Sequence, residues 1–172
     1  NSEEYSDYDG WHDECLLQGH SAGERLTFTA DSRFLACASS QDGMVRVWCL
    51  RSHTLMREFP QKDQSYAAGV EFGPNNKFLV LAQRTKAGLG VVRWSIDTDK
   101  PPATWEERDL LIQEGAERIT AVVFNRSGSL LAVACNDSDG GGSVRIWDMV
   151  TGNIVKRLWD HPRNVCDLMF SS

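Results

Sequence analysis

Four phenylalanine-anchored segments recur along the chain, and this internal repetition limits the available folds more than any other feature. The anchors Phe28, Phe72, Phe124 and Phe170 stand 44, 52 and 46 residues apart. After each of the first three comes a polar turn (Ala30-Asp31-Ser32, Pro74-Asn75-Asn76, Arg126-Ser127-Gly128). A second apolar run follows, opening at Phe34-Leu35, Phe78-Leu79 and Leu130-Leu131. A third run then ends at Trp48, Trp94 and Trp147. A period of this length marks a supersecondary unit that buries its faces only by stacking on copies of itself.

The runs are short, rich in β-branched and aromatic residues, and separated every 8–12 residues by Gly, Asn, Asp and Ser, which is strand patterning. Helical periodicity is almost absent. A fourth strand is expected after each tryptophan, over Thr54 to Phe59, Thr104 to Leu111 and Asn153 to Trp159. Cys15 to Gln18 has the same character ahead of the first unit. The expected repeat is a four-stranded antiparallel meander, and the expected fold class is all-β.

Gly19-His20, the Phe28 and Leu35 anchors, Asp42-Gly43 and the Val45-Arg46-Val47-Trp48 run make the first unit similar to a repeat of the WD40 β-propeller family. Val144-Arg145-Ile146-Trp147-Asp148 with Thr151-Gly152 does the same for the third. The resemblance covers residues 15–172 and implies an incomplete ring of propeller blades. On this reading 1–14 is an acidic, disordered tail and 15–18 the outer strand of a preceding blade. Residues 19–60 form a blade, 61–112 a degenerate blade, 113–159 a blade, and 160–172 the first strand of the next. Propellers typically need four to eight blades. The chain therefore reads as part of a longer propeller, or as a short protein completed by a second chain, with apolar surface at its two terminal faces.

The resemblance also implies a hydrogen-bonded tetrad of His20, Ser39 (or Ser40), Asp42 and Trp48 in the first unit. A buried imidazole and indole N–H need such partners. Trp94 and Trp147 are the equivalent structural tryptophans. The second unit keeps only its tryptophan, and the third has Ala116 where the histidine would stand. Arg46, Arg93 and Arg145, each just ahead of a tryptophan, read as a repeated residue on an outward strand face. Trp105 and Trp159 fall in fourth strands, where packing on the adjacent strand is weighed against a role as interface anchors.

Charge is unevenly spread. The formal net charge is −6. Six of the 24 acids lie in residues 1–14, which hold no Lys or Arg, leaving 18 acids against 18 bases in the rest. A neutral body makes nucleic acid an unexpected partner, and no apolar run approaches the roughly 20 residues of a membrane span. The tail reads as a solvated linker. Ser6 among acids is a possible phosphate acceptor, and Trp11 could dock on a partner or a blade edge. Five cysteines at wide spacing fit neither a disulfide framework nor a zinc site, which suggests a reducing, cytoplasmic or nuclear compartment. Two Asn-x-Ser matches, at Asn125 and Asn136, fall in turn-like segments and read as chance.

No catalytic, metal or cofactor pattern stands out. His20, Ser39 and Asp42 lack a nucleophile elbow, His12 with Cys15 and His161 with Cys166 lack further ligands, and the Gly140-Gly141-Gly142-Ser143 run lacks the phosphate-binding ending. The family resemblance implies a non-enzymatic protein–protein interaction scaffold. Its partners would be other proteins or peptides, besides the missing blades. The alternative is an accessory propeller of a multidomain enzyme or signalling ATPase. Recognition would use loops at one ring face, with Glu24, Arg25, Tyr66, Arg84, Lys86, Glu117, Arg118 and Arg163 as candidates.

Overall fold

The computed structural model describes residue 17 and residues 25–39, 41–60, 66–85, 88–113, 118–136 and 141–171. These form three four-stranded antiparallel sheets, each a meander of consecutive strands. The first blade holds β1 (Arg25–Phe28), β2 (Phe34–Ala38), β3 (Met44–Cys49) and β4 (Thr54–Pro60). The second holds β5 (Tyr66–Phe72), β6 (Phe78–Thr85), β7 (Gly88–Ser95) and β8 (Glu106–Gln113). The third holds β9 (Arg118–Phe124), β10 (Leu130–Asn136), β11 (Gly142–Asp148) and β12 (Ile154–His161). First strands sit against one another, β1 on β5 and β5 on β9, so the sheets fan from a shared inner edge without closing a ring.

Register repeats from blade to blade. Trp48 opposes Leu35, Trp94 opposes Leu79, and Trp147 opposes Leu131. In all three blades the pairing of third and fourth strands shifts immediately before the tryptophan, at Val47/Trp48, Arg93/Trp94 and Ile146/Trp147. A residue at such a bulge bends the outer strand and sharpens its twist. The turns after the first strands also correspond. Ser32 and Asn76 (φ 57° each) and Gly128 (φ 72°) occupy the same place in left-handed backbone, a conformation that glycine adopts without steric cost.

Side chains alternate across each sheet, so every blade has two faces to cover. The second blade presents Val70, Phe72, Leu79 and Leu81 to Ala36, Val45, Val47 and Phe59 of the first. Its other face gives Val80, Ala82 and Val91 to Leu131, Val133 and Trp147 of the third. Each such aliphatic side chain taken out of water stabilises the stack by about 1.5–3 kcal/mol. Aromatic contacts seal the first seam: Phe59 meets Trp94 edge-on at 4.6 Å and stacks on Trp105 at 6.2 Å. Leu26 and Phe28 point away from the second blade and lie exposed, Phe28 at 57 %.

Several details differ from the sequence reading. A 3-10 turn, Pro102–Thr104, carries Thr104, so the second blade's outer strand starts at Glu106. Trp105 packs in the core, its indole N–H donating to the Asp97 carbonyl at 3.0 Å. Trp159 is 52 % exposed beneath the guanidinium groups of Arg145 and Arg157. The three arginines ahead of the tryptophans are neither equivalent nor outward. Arg46 and Arg145 are buried two places before their tryptophans, where the second blade has Val92. Arg93, one place further on, reaches the third blade and donates to the Met149 carbonyl at 2.8 Å. Residues 162–171 form no strand, and Cys15 to Gln18 lie outside the described residues except for Leu17.

Candidate interaction face

The three first strands open at the same end of the fan. Arg25 begins β1 opposite Ala38, Tyr66 begins β5 opposite Arg84, and Arg118 begins β9 opposite Asn136. A chain of bonds draws this edge together. The Arg25 guanidinium donates to the carbonyl of Thr120, two residues into β9 from Arg118. The Thr120 hydroxyl donates to the Val165 carbonyl at 2.5 Å, and the Val165 amide donates to Asn136 Oδ1 at 2.9 Å. Arg163, two residues before Val165, therefore lies beside the same edge, its carbonyl close to Gly142. Arg25, Arg118 and Arg163 are all exposed, and none has an ion pair with a described residue.

Of the eight face residues expected from sequence, Arg25, Arg118 and Arg163 lie on segments that these bonds link. The structure places the backbones of Tyr66 and Arg84 at the corresponding edge of the second blade. Glu24, Lys86 and Glu117 lie outside the described residues. Arg163 also lines an open cavity of about 470 Å³, with His161, Val165 and Leu168. Sequence reasoning missed Thr120, Val165 and Asn136. No motif marks them, because their role is to join strands that meet only in the folded stack.

One carboxyl group is embedded near the far end of β5 from Tyr66. Glu71 on β5 is largely buried, and burial pushes its pKa up to about 7, while the Thr27 hydroxyl donating to it pulls the other way. Thr27 Oγ1 also accepts from the Phe72 amide at 3.5 Å, so the group sits in the seam between the first and second blades.

In the first blade, Ser39 is fully buried and its hydroxyl accepts from the amides of Gln41 and Asp42 at 3.3 and 3.5 Å. Asp42 accepts from the Met44 amide at 3.0 Å and pairs with Arg46 at 2.7 Å, and Arg46 also pairs with Glu58 at 2.8 Å. Burial loosens the Arg46 proton, but hydrogen bonds to Asp42 and Glu58 outweigh it and raise the pKa. Trp48 is buried, and His20 lies outside the described residues. Among the described residues no group of three His, Cys, Asp or Glu is placed to hold a metal ion, and no helix is long and apolar enough to cross a membrane.

Repeated four-stranded meanders, tryptophans at matched register and a shared inner edge define propeller blades. The fold is that of about three blades of a WD40-type β-propeller. The model of the WD domain, G-beta repeat, matches residues 13–49 and 109–148. A stretch of 48 residues is 44 % identical to the retinoblastoma-binding protein 5 homolog of Drosophila melanogaster, covering 28 % of this chain and 9 % of that protein. Among solved structures, the RRP9 WD40 repeats superpose with a TM-score of 0.69 over 88 % of this chain and 43 % of theirs, at 18 % identity. The Cps50 (Swd1) β-propeller domain of Myceliophteria thermophila gives 0.67 over 90 % and 48 %, at 21 % identity. The chain thus spans less than half of each of these proteins.

Proposed function

We propose that this chain is a non-catalytic platform for other proteins or peptides in the cytoplasm or nucleus, working as part of a larger propeller. The observation that carries this reading is the edge where Arg25, Arg118 and Arg163, exposed and without an ion pair to a described residue, lie on segments joined by hydrogen bonds. Exposed guanidinium groups suit bidentate recognition of carboxylate-bearing segments. The exposed Leu26 and Phe28 on the first blade support a further blade seated there, from the same polypeptide or a second one. We assign successive repeats to 19–60, 61–112 and 113–159, with His20, Ser39, Asp42 and Trp48 as the tetrad pinning the first. The full set of proposed contact residues remains Glu24, Arg25, Tyr66, Arg84, Lys86, Glu117, Arg118 and Arg163.

The test is affinity capture from cell extract with the intact chain, with Arg25, Arg84 and Arg118 each reversed to Glu, and with a reversed surface residue on an outer strand, Lys156→Glu. Proteins lost with the edge variants but retained by the Lys156 variant are expected. Identical capture by all of them would remove the edge as the contact face.

A further inference from the structure

The first and third blades carry a buried arginine at the same strand position, and the two are served differently. Arg46 and Arg145 each stand two places before the third-strand tryptophan and are buried, at 8 % and 1 % exposure. Arg46 has two carboxylates: Asp42, four residues earlier, at 2.7 Å, and Glu58, its cross-strand neighbour on β4, at 2.8 Å. In the third blade the residue four places before Arg145 is Gly141, and its cross-strand neighbour on β12 is Arg157. One acid of the first blade is thus replaced by no side chain and the other by a second cation. Like charges directly opposite across a ladder repel, and a guanidinium cannot shed its charge when buried.

The contacts of Arg145 do not neutralise it. It donates to Cys135 Sγ at 3.9 Å, and no carboxylate of a described residue pairs with it. Its guanidinium lies 5.7 Å from the Trp159 ring centre, and that of Arg157 lies 6.0 Å from the same ring. The buried Arg145 Nε has no hydrogen-bond partner, and neither has the buried hydroxyl of Ser143. Ser143 stands two residues from Arg145, on the same face of β11, within the register break opposite Trp159. Buried donors without acceptors carry a desolvation cost that a native fold rarely leaves in place without a reason.

We propose that this cluster binds the phosphorylated side chain of a partner protein, whose phosphate takes the place that Asp42 and Glu58 fill in the first blade. A phosphate monoester carries about 1.5–2 negative charges at pH 7 with strong acceptor oxygens, which matches the two missing carboxylates. Guanidinium groups hold phosphate in bidentate fashion. Arg157, exposed on the outer strand, meets the ligand first. Trp159, half-exposed, is the movable cover: turning its ring aside opens Arg145 Nε and Ser143 Oγ to the phosphate. The site shares no residue with the contact face proposed above and does not depend on it.

The experiment uses the full chain and isothermal titration calorimetry at fixed ionic strength. The probes are a short Ala- and Gly-flanked phosphoserine peptide, the same peptide without phosphate, and its Ser→Glu counterpart. The wild-type chain is expected to bind the phosphopeptide at least about tenfold more tightly than either counterpart, and inorganic phosphate should compete. Arg145→Met removes the buried cation and keeps an apolar stem, and Arg157→Glu restores the carboxylate that the first blade has. Both are expected to abolish the preference for phosphate. Arg157→Glu should also raise the thermal midpoint without ligand, and it decides the question by itself if Arg145→Met fails to fold.

Equal affinity of the wild-type chain for the phosphorylated and unphosphorylated peptides would overturn the proposal, as would a preference that survives both substitutions. Binding to vesicles containing a phosphatidylinositol phosphate, without binding to the phosphopeptide, would overturn it in favour of a membrane surface. A thermal midpoint raised by inorganic phosphate alone would reassign the site to a free anion. Asp137 and Asp139 precede Gly141 outside the described residues. Phosphopeptide binding that appears only when both are changed to Asn would show that the chain supplies its own anion, and the proposal would fall. Arg25, Arg84 and Arg118 are unchanged throughout, so none of these outcomes bears on the platform reading.

Discussion

Arg57 of the first blade donates to the Trp105 carbonyl of the second at 2.7 Å and bonds the Pro102 carbonyl with the same nitrogen. Its guanidinium also lies 5.1 Å over Phe59 and 5.5 Å over Trp94. One cation thus bonds two carbonyls at the end of the 3-10 turn, of which Pro102's also accepts the Trp105 amide, and covers both rings of the seam. Arg57→Met keeps the aliphatic stem and removes the bonds, and a loss of about 2–3 kcal/mol is expected from charge-assisted bonding and cation–π contact together. Urea unfolding followed by tryptophan fluorescence measures it.

Trp105→Ala opens a void under Phe59 and removes the bond to the Asp97 carbonyl. The expected cost is about 3–5 kcal/mol, enough to lower the urea midpoint clearly. A midpoint within error of wild type would show that Trp105 does not hold the seam.

Glu71 makes stability depend on pH. Its folded pKa of about 7 lies above the ordinary 4.5, so folding disfavours the ionised form. Below pH 4.5 both states hold the proton and the group contributes nothing. As pH rises from 4.5 to 7 the unfolded chain ionises first and stability falls; above 7 the penalty is complete, on the order of 3 kcal/mol. Glu71→Gln is expected to raise stability at pH 8, to change little at pH 4.5, and to flatten the profile between. Thermal unfolding across that range reads the difference.

Gly69 marks a close approach of strands. A Cβ there would stand 2.6 Å from Val122 Cγ2 on β9, within the seam of the second and third blades. Gly69→Ala is expected to destabilise by about 1–3 kcal/mol through overpacking. Combining it with Val122→Ala should restore part of that loss, a coupling that a double-mutant cycle measures directly.

The repeat, its strands and its tryptophan positions were legible because period-two patterning and turn residues are local signals. The one-residue displacement of Arg93, one place before Trp94 where Arg46 stands two before Trp48, is visible in the sequence, but its bond to the Met149 carbonyl 56 residues away is not. The start of β8 was misjudged because Pro101-Pro102 allows either a strand entry or a tight turn, and the carbonyls that Arg57 bonds favour the turn. The linkage of the segments that carry Arg25, Arg118 and Arg163 depends on contacts between residues 45 and 95 positions apart, which no window of sequence displays.

The cysteines differ in access and acidity. Burial pushes the Cys37 thiol up to about 11, with Arg46 opposing weakly, whereas hydrogen bonds from Ser52 lower Cys49. Cys166 is exposed, and Cys135 is buried. Iodoacetamide at neutral pH is expected to modify Cys166 and then Cys49, and to reach Cys37 and Cys135 only after unfolding, because the thiolate is the reactive form. Peptide mapping by mass spectrometry gives the order.

Interstrand backbone NOEs bear most directly on the three matched blades. Contacts joining Trp48 with Leu35, Trp94 with Leu79 and Trp147 with Leu131 are expected, each followed by a break in the ladder on the outer-strand side. Sequential helical contacts across these segments, or three tryptophans paired at unequal offsets, would contradict the blade structure on which the arginine edge depends.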